Sequence, residues 1–154
     1  MGNMELTNMC MIENTATNQV LVQKRVKSWP GLAFPGGHIE DGEGIVDSVI
    51  REVREETGLT VSDLRLVGIK HFYGGDNADR YMVFMFAAGS YSGTLRSSDE
   101  GEVLWVDKDK LPSMELSRGM AVALAFMQNP DVSELSYVRT AGGDPWTDTT
   151  IKMQ

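Results

Sequence analysis

One stretch, AFPGGHIEDGEGIVDSVIREVREETGL at residues 33–59, constrains this chain more than any other. Within it, apolar residues recur at helical spacing: Ile45, Val46, Val49, Ile50 and Val53. This spacing predicts a helix over residues 44–58 with one buried apolar stripe. Gly44 is a permissive N-cap, and Gly58 is a favourable stop for the helix.

Three glutamates on this helix point in different directions. At roughly 100° per residue, with Ile45 at zero, Glu56 lies near 20°, inside the apolar stripe, and Glu52 lies near −20°, at its edge. Glu55 lies further round, at roughly −80°. Like charges at positions i and i+4 cost a helix about 0.2–0.5 kcal/mol in water, and more where they are desolvated. A hard divalent cation explains the arrangement, because Mg²⁺ and Mn²⁺ take carboxylate oxygens as ligands.

The length and the charge limit the architecture and the partners. A chain of 154 residues is long enough for one domain with a real core, which we expect over residues 1–139. Residues 140–154 form a polar tail, which we expect to be loosely ordered. The net charge of −8 argues against a duplex nucleic acid as partner. It leaves a small anionic substrate possible, because bound cations invert the local field.

The same sequence indicates a cytoplasmic protein that does not enter a membrane. No apolar run approaches the roughly 18 residues of a membrane span, and the N-terminal residues lack the basic start and long apolar region of a signal peptide. The lone Cys10 suits a reducing compartment. Because Cys10 lies in an apolar, strand-like run, we interpret it as a small core residue and not as a nucleophile.

The remaining pattern predicts strands and a second helix. Strands are expected over residues 7–13, 19–26, 32–34, 64–72, 80–88 and 102–107, with a last short strand around Tyr137. The first two strands are expected to pair, and Ser117 is expected to cap a second helix over residues 117–128. This order predicts an α/β or α+β sandwich around a mixed sheet. The apolar strand 80–88 would offer an edge for dimer pairing, so both a monomer and a homodimer are compatible with the sequence.

Residues 37–59 carry a longer signature. Its fixed positions are Gly37, Glu43, Arg51-Glu52-Val53, Glu55-Glu56 and Gly58-Leu59. With these residues at these spacings, the chain resembles the Nudix hydrolases, and within them the bacterial MutT-like branch. The resemblance implies a Nudix-type α/β/α sandwich. It also implies hydrolysis of a nucleoside diphosphate linked to another group.

The resemblance assigns roles to individual residues. Glu52, Glu55 and Glu56 match the metal-binding glutamates of the family. The backbone carbonyl of Gly36 matches a further ligand, so a Mg²⁺ site, with Mn²⁺ possible, is implied. Arg51 and Glu43 match a pair that braces the loop and the helix. The chain departs from the family at position 44, where Gly44 replaces a common Ser or Thr without touching a ligand.

A general base is expected beside the metal, since the attacking water must lose a proton. Glu55 is a candidate because it lies off the apolar stripe. Glu100 and Glu102 are rivals, because members of the family often take a base or a further metal carboxylate from that region. The residues alone leave this choice open. From their angles around the helix, we predict that Glu52 and Glu56 are the indispensable ligands.

Several residues are candidates for substrate contact. Lys24, Arg25 and Lys27 could meet phosphate or could form a solubilising strand end. His38 follows the glycines and could meet phosphate or lie on the surface. Three aromatic residues could stack on a base: Trp29, Phe34 and Trp105. Core packing is the favoured interpretation for Phe34 and Trp105.

Few residues bear on the identity of the substrate. A small MutT-like chain without other subfamily marks points to a nucleoside triphosphate pyrophosphohydrolase. By resemblance, 8-oxo-dGTP is the leading substrate. A hydrolase of a nucleotide sugar or a dinucleotide is one alternative, and a non-catalytic nucleotide-sensing module is another. The intact set of glutamates argues against the sensor, because a binding module does not need a full set of metal ligands.

Overall fold

A computed structural model describes residues 2–154. Within that range the chain forms the following elements, in order: β1 (Met4–Asn14), β2 (Gln19–Arg25), β3 (Gly31–Ala33), α1 (Ile45–Thr57), β4 (Leu59–Gly74), β5 (Arg80–Gly93), β6 (Gly101–Asp107), α2 (Met120–Met127), β7 (Glu134–Arg139) and β8 (Thr149–Met153). A short 3₁₀ turn at Leu111–Ser113 follows β6. The positions of the strands predicted from the sequence are confirmed, although β4 and β5 are much longer than expected.

The strands form one mixed sheet in the order β3-β2-β1-β5-β4-β7-β8, with β6 added on β2. The pairs β1–β5 and β4–β7 are parallel, and the other pairs are antiparallel. The predicted pairing of β1 with β2 is limited to two residue pairs near the turn, after which β1 runs along β5. The sheet therefore opens between β1 and β2, and this opening leaves room for a loop.

Each face of the sheet is covered by one helix. Val49 and Val53 of α1 are fully buried against Cys10 and Ile12 of β1. On β1 the neighbouring Met11 belongs to the second core cluster, which contains α2. Because successive side chains of a strand point to opposite faces, the two clusters lie on opposite sides of the sheet. The α/β/α sandwich is therefore confirmed.

The first helix ends where the sequence predicts. Gly44 is its N-cap, and Gly58 adopts a left-handed conformation (φ 77°) and donates its N–H to the carbonyl of Arg54 at 2.9 Å. This is the usual way in which a glycine closes a helix.

The second helix begins later than predicted, and the expectation that Ser117 caps it is wrong. The helix starts at Met120, after Gly119 in a left-handed conformation (φ 79°). Ser117 Oγ instead donates to the carbonyl of Trp29 at 2.9 Å. Its side chain therefore links the β2–β3 loop to the segment that precedes α2.

Two expectations about edges and ends are also wrong. Strand β5, which contains the apolar residues 80–88, lies between β1 and β4, so it offers no free edge for dimer pairing. The polar tail is not loose, because residues 149–153 form β8 and pair with β7 along its length. The backbone ladder accounts for this order, since most side chains of β8 remain exposed.

Cys10 is fully buried, and burial raises the pKa of its thiol to about 12. Its burial confirms the prediction that Cys10 is a core residue. A thiol that stays protonated is also a poor nucleophile. None of the helices within residues 2–154 is long and apolar enough to cross a bilayer.

Candidate active site

The loop between β3 and α1 is pinned to β1 by its backbone. The N–H groups of Asn8 and Cys10 donate to the carbonyls of Gly37 and Pro35 at 2.8 and 2.9 Å. A Cβ at Gly36 would lie 2.1 Å from the carbonyl oxygen of Asn8. Gly36 is therefore required by the close approach of two backbones.

The second glycine, Gly37, lets the same loop lie close to α1. A Cβ at Gly37 would lie within 2.6 Å of the Glu52 carboxylate. One residue earlier, the N–H of Gly36 donates to Glu56 Oε2 at 3.1 Å. The two glycines thus place the loop backbone directly against two carboxylates of the helix.

The burial of the three glutamates follows the order predicted from their angles around the helix. Glu56 is only 8% exposed, whereas the side chains of Glu52 and Glu55 are 15% and 59% exposed. The apolar stripe is narrower than predicted, because Ile45 and Val46 are 37% and 47% exposed. The helix therefore turns Glu56 inward and Glu55 towards solvent.

Glu56 lies in an environment that disfavours its charge. Burial raises its pKa to about 8, and the neighbouring charges of Glu52 and Glu100 act in the same direction. The Gly36 N–H and the charge of Arg25 oppose the shift. Without a positive partner, two carboxylates this close and this buried are costly to ionise together.

Arg51 connects the helix to the loop. Its Nε and Nη2 donate to the two oxygens of Glu43 at 2.7 and 2.9 Å, and its Nη1 donates to Glu52 Oε1 at 2.8 Å. Nη2 also donates to the carbonyl of His38 at 3.0 Å, and a longer bond of 3.3 Å reaches Glu55. A planar guanidinium suits this bidentate arrangement, which a lysine could not reproduce.

The Arg51–Glu43 pair keeps both groups charged. The hydrogen bonds from Arg51, together with the backbone N–H of Glu40, lower the pKa of Glu43 to about 2. Glu43 in turn raises the pKa of Arg51 above its already high value. We refer to Arg51, Glu43, Glu52 and the His38 carbonyl as the arginine clasp.

Beside the clasp lies a cavity of about 1100 Å³. Its acidic end is formed by Glu52, Glu55, Glu56, Asp99 and Glu100. Its far end is formed by Lys70, Phe72, Arg118, Tyr137 and Trp146. The volume is slightly above the roughly 300–1000 Å³ typical of small-molecule sites, so there is room for one ligand that reaches both ends.

Comparison with known proteins gives the family. The family model for the NUDIX domain matches residues 6–127, which is most of the chain. The chain belongs to the Nudix hydrolase family. Members of this family hydrolyse nucleoside diphosphate-linked substrates.

Individual relatives agree with this assignment. The uncharacterized Nudix hydrolase YvcI of Bacillus subtilis is 36% identical over 122 residues, covering 77% of this chain and 75% of that protein. An oxidized purine nucleoside triphosphate hydrolase of Danio rerio is 35% identical over 88 residues, covering 57% of this chain and 54% of the relative. The crystal structure of a MutT protein from Bacillus halodurans superposes with a TM-score of 0.79 at 24% identity and covers 97% of both chains. This last likeness confirms the Nudix fold.

The structure brings some of the predicted substrate contacts to the cavity. Arg25, His38 and Phe34 line it. Phe34 is buried and also belongs to the core, as predicted. His38 is exposed, and its Nε2 lies 3.1 Å from the Glu5 carboxylate. Trp29, one of the open candidates, also lines the cavity, in a left-handed conformation (φ 56°).

Other predicted residues lie elsewhere. Lys24 and Glu102 are exposed, face one another across the β2–β6 pair and do not line the cavity. Trp105 packs on Tyr91 at 5.0 Å between ring centroids, outside the cavity. Of the two acidic rivals for the base, the structure therefore brings only Glu100 to the cavity.

The donor set fits a hard divalent cation in its chemistry. Nudix hydrolases generally use Mg²⁺ or Mn²⁺, and the acidic end offers carboxylate oxygens with an excess of negative charge. Within residues 2–154, however, no three acidic, histidine or cysteine side chains already converge on a common point. The reason is visible in the clasp, because Arg51 holds Glu52 and draws Glu55 aside. Glu56 would be the fixed ligand, and Glu55 would have to turn inward.

Sequence reasoning missed the far end of the cavity. Lys70 and Phe72 share one face of β4, and Tyr137 and Trp146 come from the last part of the chain. The only local signal is that Lys70 and Phe72 are two residues apart on one strand, so that their side chains lie on the same face. This places a charged residue on an inward-facing strand position. Nothing in the sequence indicates that residues beyond 134 return to the same cavity.

Proposed function

We propose that this Nudix hydrolase is a Mg²⁺-dependent nucleoside triphosphate pyrophosphohydrolase, with 8-oxo-dGTP as its leading substrate. The observation that carries the proposal is the buried Glu56 carboxylate, which lies beside Glu52 at one end of a nucleotide-sized cavity. The name of the Danio rerio relative supports the choice of an oxidised purine nucleotide.

In this proposal, Glu52, Glu56 and the carbonyl of Gly36 hold the metal. A bound Mg²⁺ would neutralise phosphate charge, orient the diphosphate and acidify the attacking water. The two glutamates are suited to this role because the loop and the clasp fix their positions. Preorganised charges of this kind need no reorganisation when the substrate reacts.

Glu55 is the proposed general base or secondary ligand. Its side chain is exposed and is held only by a 3.3 Å bond to Arg51, so it can turn towards a water in the cavity. Glu100 is the rival for this role, since it lines the cavity and its charge reaches Glu56. Arg25 is the proposed phosphate contact, because it is a cation at the acidic end that has no carboxylate partner among the described ion pairs.

The experiment is a substrate panel assayed with excess Mg²⁺, with pyrophosphate and phosphate release measured separately. The panel contains canonical and oxidised nucleoside triphosphates, nucleotide sugars and dinucleotides. We expect pyrophosphate release with the highest kcat/KM for 8-oxo-dGTP. Preferred turnover of a nucleotide sugar or a dinucleotide would replace the proposed substrate, and no turnover of any compound would favour a nucleotide sensor.

The role of the metal site is tested by Glu52→Gln, with Asp47→Asn as the control. Asp47 is an exposed acidic residue on the same helix, so its substitution removes the same charge away from the cavity. Removing one group that stabilises transition-state charge typically lowers kcat by about 10²–10³-fold. We expect a loss of this size for Glu52→Gln and almost none for Asp47→Asn. Unchanged turnover of Glu52→Gln in excess Mg²⁺ would contradict the metal-hydrolase mechanism.

A further inference from the structure

Lys70 is a lysine without a partner inside the cavity. Among residues 2–154 it makes none of the ion pairs, and burial is the only cause that lowers the pKa of its amine, to about 8. Its Nζ lies 5.3 Å from the centroid of the Phe72 ring and 5.6 Å from that of Tyr137. Lys70 is partly buried, and an ammonium that is partly desolvated without a carboxylate destabilises the fold, so its position favours a ligand.

A second polar group at the same place is also unsatisfied. The hydroxyl of Tyr137 is buried and has no hydrogen-bond partner within the described chain. A Cβ placed on Gly119 would lie 3.8 Å from that hydroxyl and 3.9 Å from Lys70 Nζ. The two groups therefore border the same small space, and buried polar atoms left unpaired are uncommon in folded proteins.

The charged side chains that face Lys70 from the neighbouring elements are mainly positive. From the α2 side, Arg118 lies over the Trp29 ring, and from β7, Arg139 lies over the Phe72 and Trp146 rings. Two tyrosines are also present at this end: Tyr81, whose ring packs on Phe72, and Tyr137, whose pKa is raised by burial. One carboxylate, Asp144, interacts with the charge of Arg118. The far end is thus positive and aromatic in a protein with a net charge of −8. It suits a flat ring that carries hydrogen-bond acceptors.

Part of this end of the cavity lies outside the residues that the family model covers. That match ends at residue 127, whereas Tyr137, Trp146, Thr149 and Ile151 also line the cavity. The far end therefore combines residues of the matched domain, among them Lys70, with residues that follow it.

We propose that Lys70, with the hydroxyl of Tyr137, binds the carbonyl oxygen at position 6 of a purine base and so selects 6-oxo over 6-amino purine nucleotides. The inference rests on the proposed function, since it assumes that the phosphates occupy the acidic end. A lysine has donors and no acceptor, so it can bind O6, the acceptor that guanine and 8-oxoguanine share. The 6-amino group of adenine would direct its own donors at the ammonium, which would leave Lys70 desolvated and unpaired.

The experiment compares dGTP with 2-amino-dATP, which differ in the 6-substituent and the protonation of the adjacent ring nitrogen, and adds dITP, which lacks the 2-amino group. For the wild type, we expect a lower KM with dGTP and dITP than with 2-amino-dATP. For Lys70→Met, we expect the KM for dGTP and dITP to rise about 10- to 100-fold, the usual effect of losing a hydrogen bond to a charged group. We expect kcat to change little and the KM for 2-amino-dATP to fall, because the variant no longer has the ammonium that a 6-amino group leaves unpaired.

Two further variants serve as controls. Lys152→Met removes an exposed lysine of β8 that does not line the cavity and should leave all KM values unchanged. Lys70→Arg keeps the charge and the donors and should restore part of the preference for the 6-oxo group. Equal KM increases for both base types in Lys70→Met, or no increase at all, would overturn the inference.

Binding of nucleoside monophosphates separates this inference from the proposed function. Calorimetry with dGMP and dAMP, without metal, requires no turnover. If the wild type hydrolyses no triphosphate and still prefers dGMP, and Lys70→Met abolishes the preference, the proposed function fails while the role of Lys70 stands. If the wild type hydrolyses triphosphates without a 6-oxo preference in KM or binding, the role of Lys70 fails alone.

Discussion

The two ends of the cavity are stabilised in opposite ways. At the acidic end, Arg51 satisfies Glu43 and Glu52 with bonds of 2.7–2.9 Å, and the Gly36 N–H satisfies Glu56. At the far end, Lys70 and Tyr137 present donors that no group of the described chain accepts. The hydrogen bonds of Glu52 and Glu56 are thus formed before a ligand arrives, and only Glu55 has to move, whereas the far end depends on a ligand to complete its hydrogen bonds.

This difference separates chemistry from selection. Catalytic charges are most effective when the protein fixes them in advance. A group that discriminates between ligands acts differently, because an analogue that cannot pair with it leaves a buried polar group unsatisfied. We therefore expect substitutions at the acidic end to lower kcat, and substitutions at the far end to change KM and stability.

The largest effect outside the metal ligands is expected for Arg51→Met. The variant leaves Glu43 and Glu52 without their shared partner and frees the loop at His38. Loss of a group that orients metal ligands typically costs about 10–100-fold in metal affinity or activity. We expect kcat/KM to fall in this range, as measured with the preferred substrate at saturating Mg²⁺. Arg54→Met, at an exposed position of the same helix, is the control, and an equal loss there would contradict a specific role for the clasp.

The two loop glycines should separate stability from metal binding. In Gly36→Ala, the new Cβ meets the backbone of Asn8, which cannot move without disturbing β1. Overpacking of this kind costs typically 1–3 kcal/mol, so we expect about that loss in the free energy of unfolding. In Gly37→Ala, the Cβ meets the end of a flexible side chain, Glu52, so Mg²⁺ affinity should fall with a smaller loss of stability. Denaturant unfolding and Mg²⁺ titration of both variants test this, and an identical pattern in the two would refute it.

At the far end, Lys70→Met should stabilise the protein at neutral pH. The pKa of Lys70 is about 8 in the folded protein against a usual value of 10.5, so the protonated amine is disfavoured by folding. The destabilisation is complete below about pH 8 and disappears as pH rises towards 10.5. From this shift, and allowing for partial solvent screening, we expect the variant to be more stable by on the order of 1–3 kcal/mol at pH 7. Denaturant unfolding at pH 7 and pH 10.5 measures the difference, and a variant less stable than wild type at pH 7 would contradict an unpaired lysine.

The same comparison explains what could be predicted from the sequence. The acidic end lies on one loop and one helix, so helical periodicity was enough to separate the buried Glu56 from the exposed Glu55. The far end depends on β4, β7 and residues beyond 145, which approach only through the sheet order. Such contacts between distant parts of a chain leave no local periodicity.

The individual errors have similar physical causes. Ser117 has the sequence context of a helix cap, but the carbonyl of Trp29 is a nearer partner in three dimensions. The polar composition of the tail predicts a loose segment, yet its backbone pairs with the edge of β7. Glu102 is the second residue of β6, and its side chain lies on the exposed face of the sheet, next to its strand partner Lys24. In each case, tertiary structure decided an outcome that local sequence left open.

The central claim is that the three glutamates are unequal, with Glu56 as the fixed ligand and Glu55 as the movable group. The most direct test is a calorimetric Mg²⁺ titration of Glu56→Gln and Glu55→Gln under the same conditions. Glu56 is the more buried group and is held by the loop, so its loss should weaken Mg²⁺ binding at least about tenfold more than the loss of Glu55. An equal or larger loss of affinity in Glu55→Gln would contradict the claim.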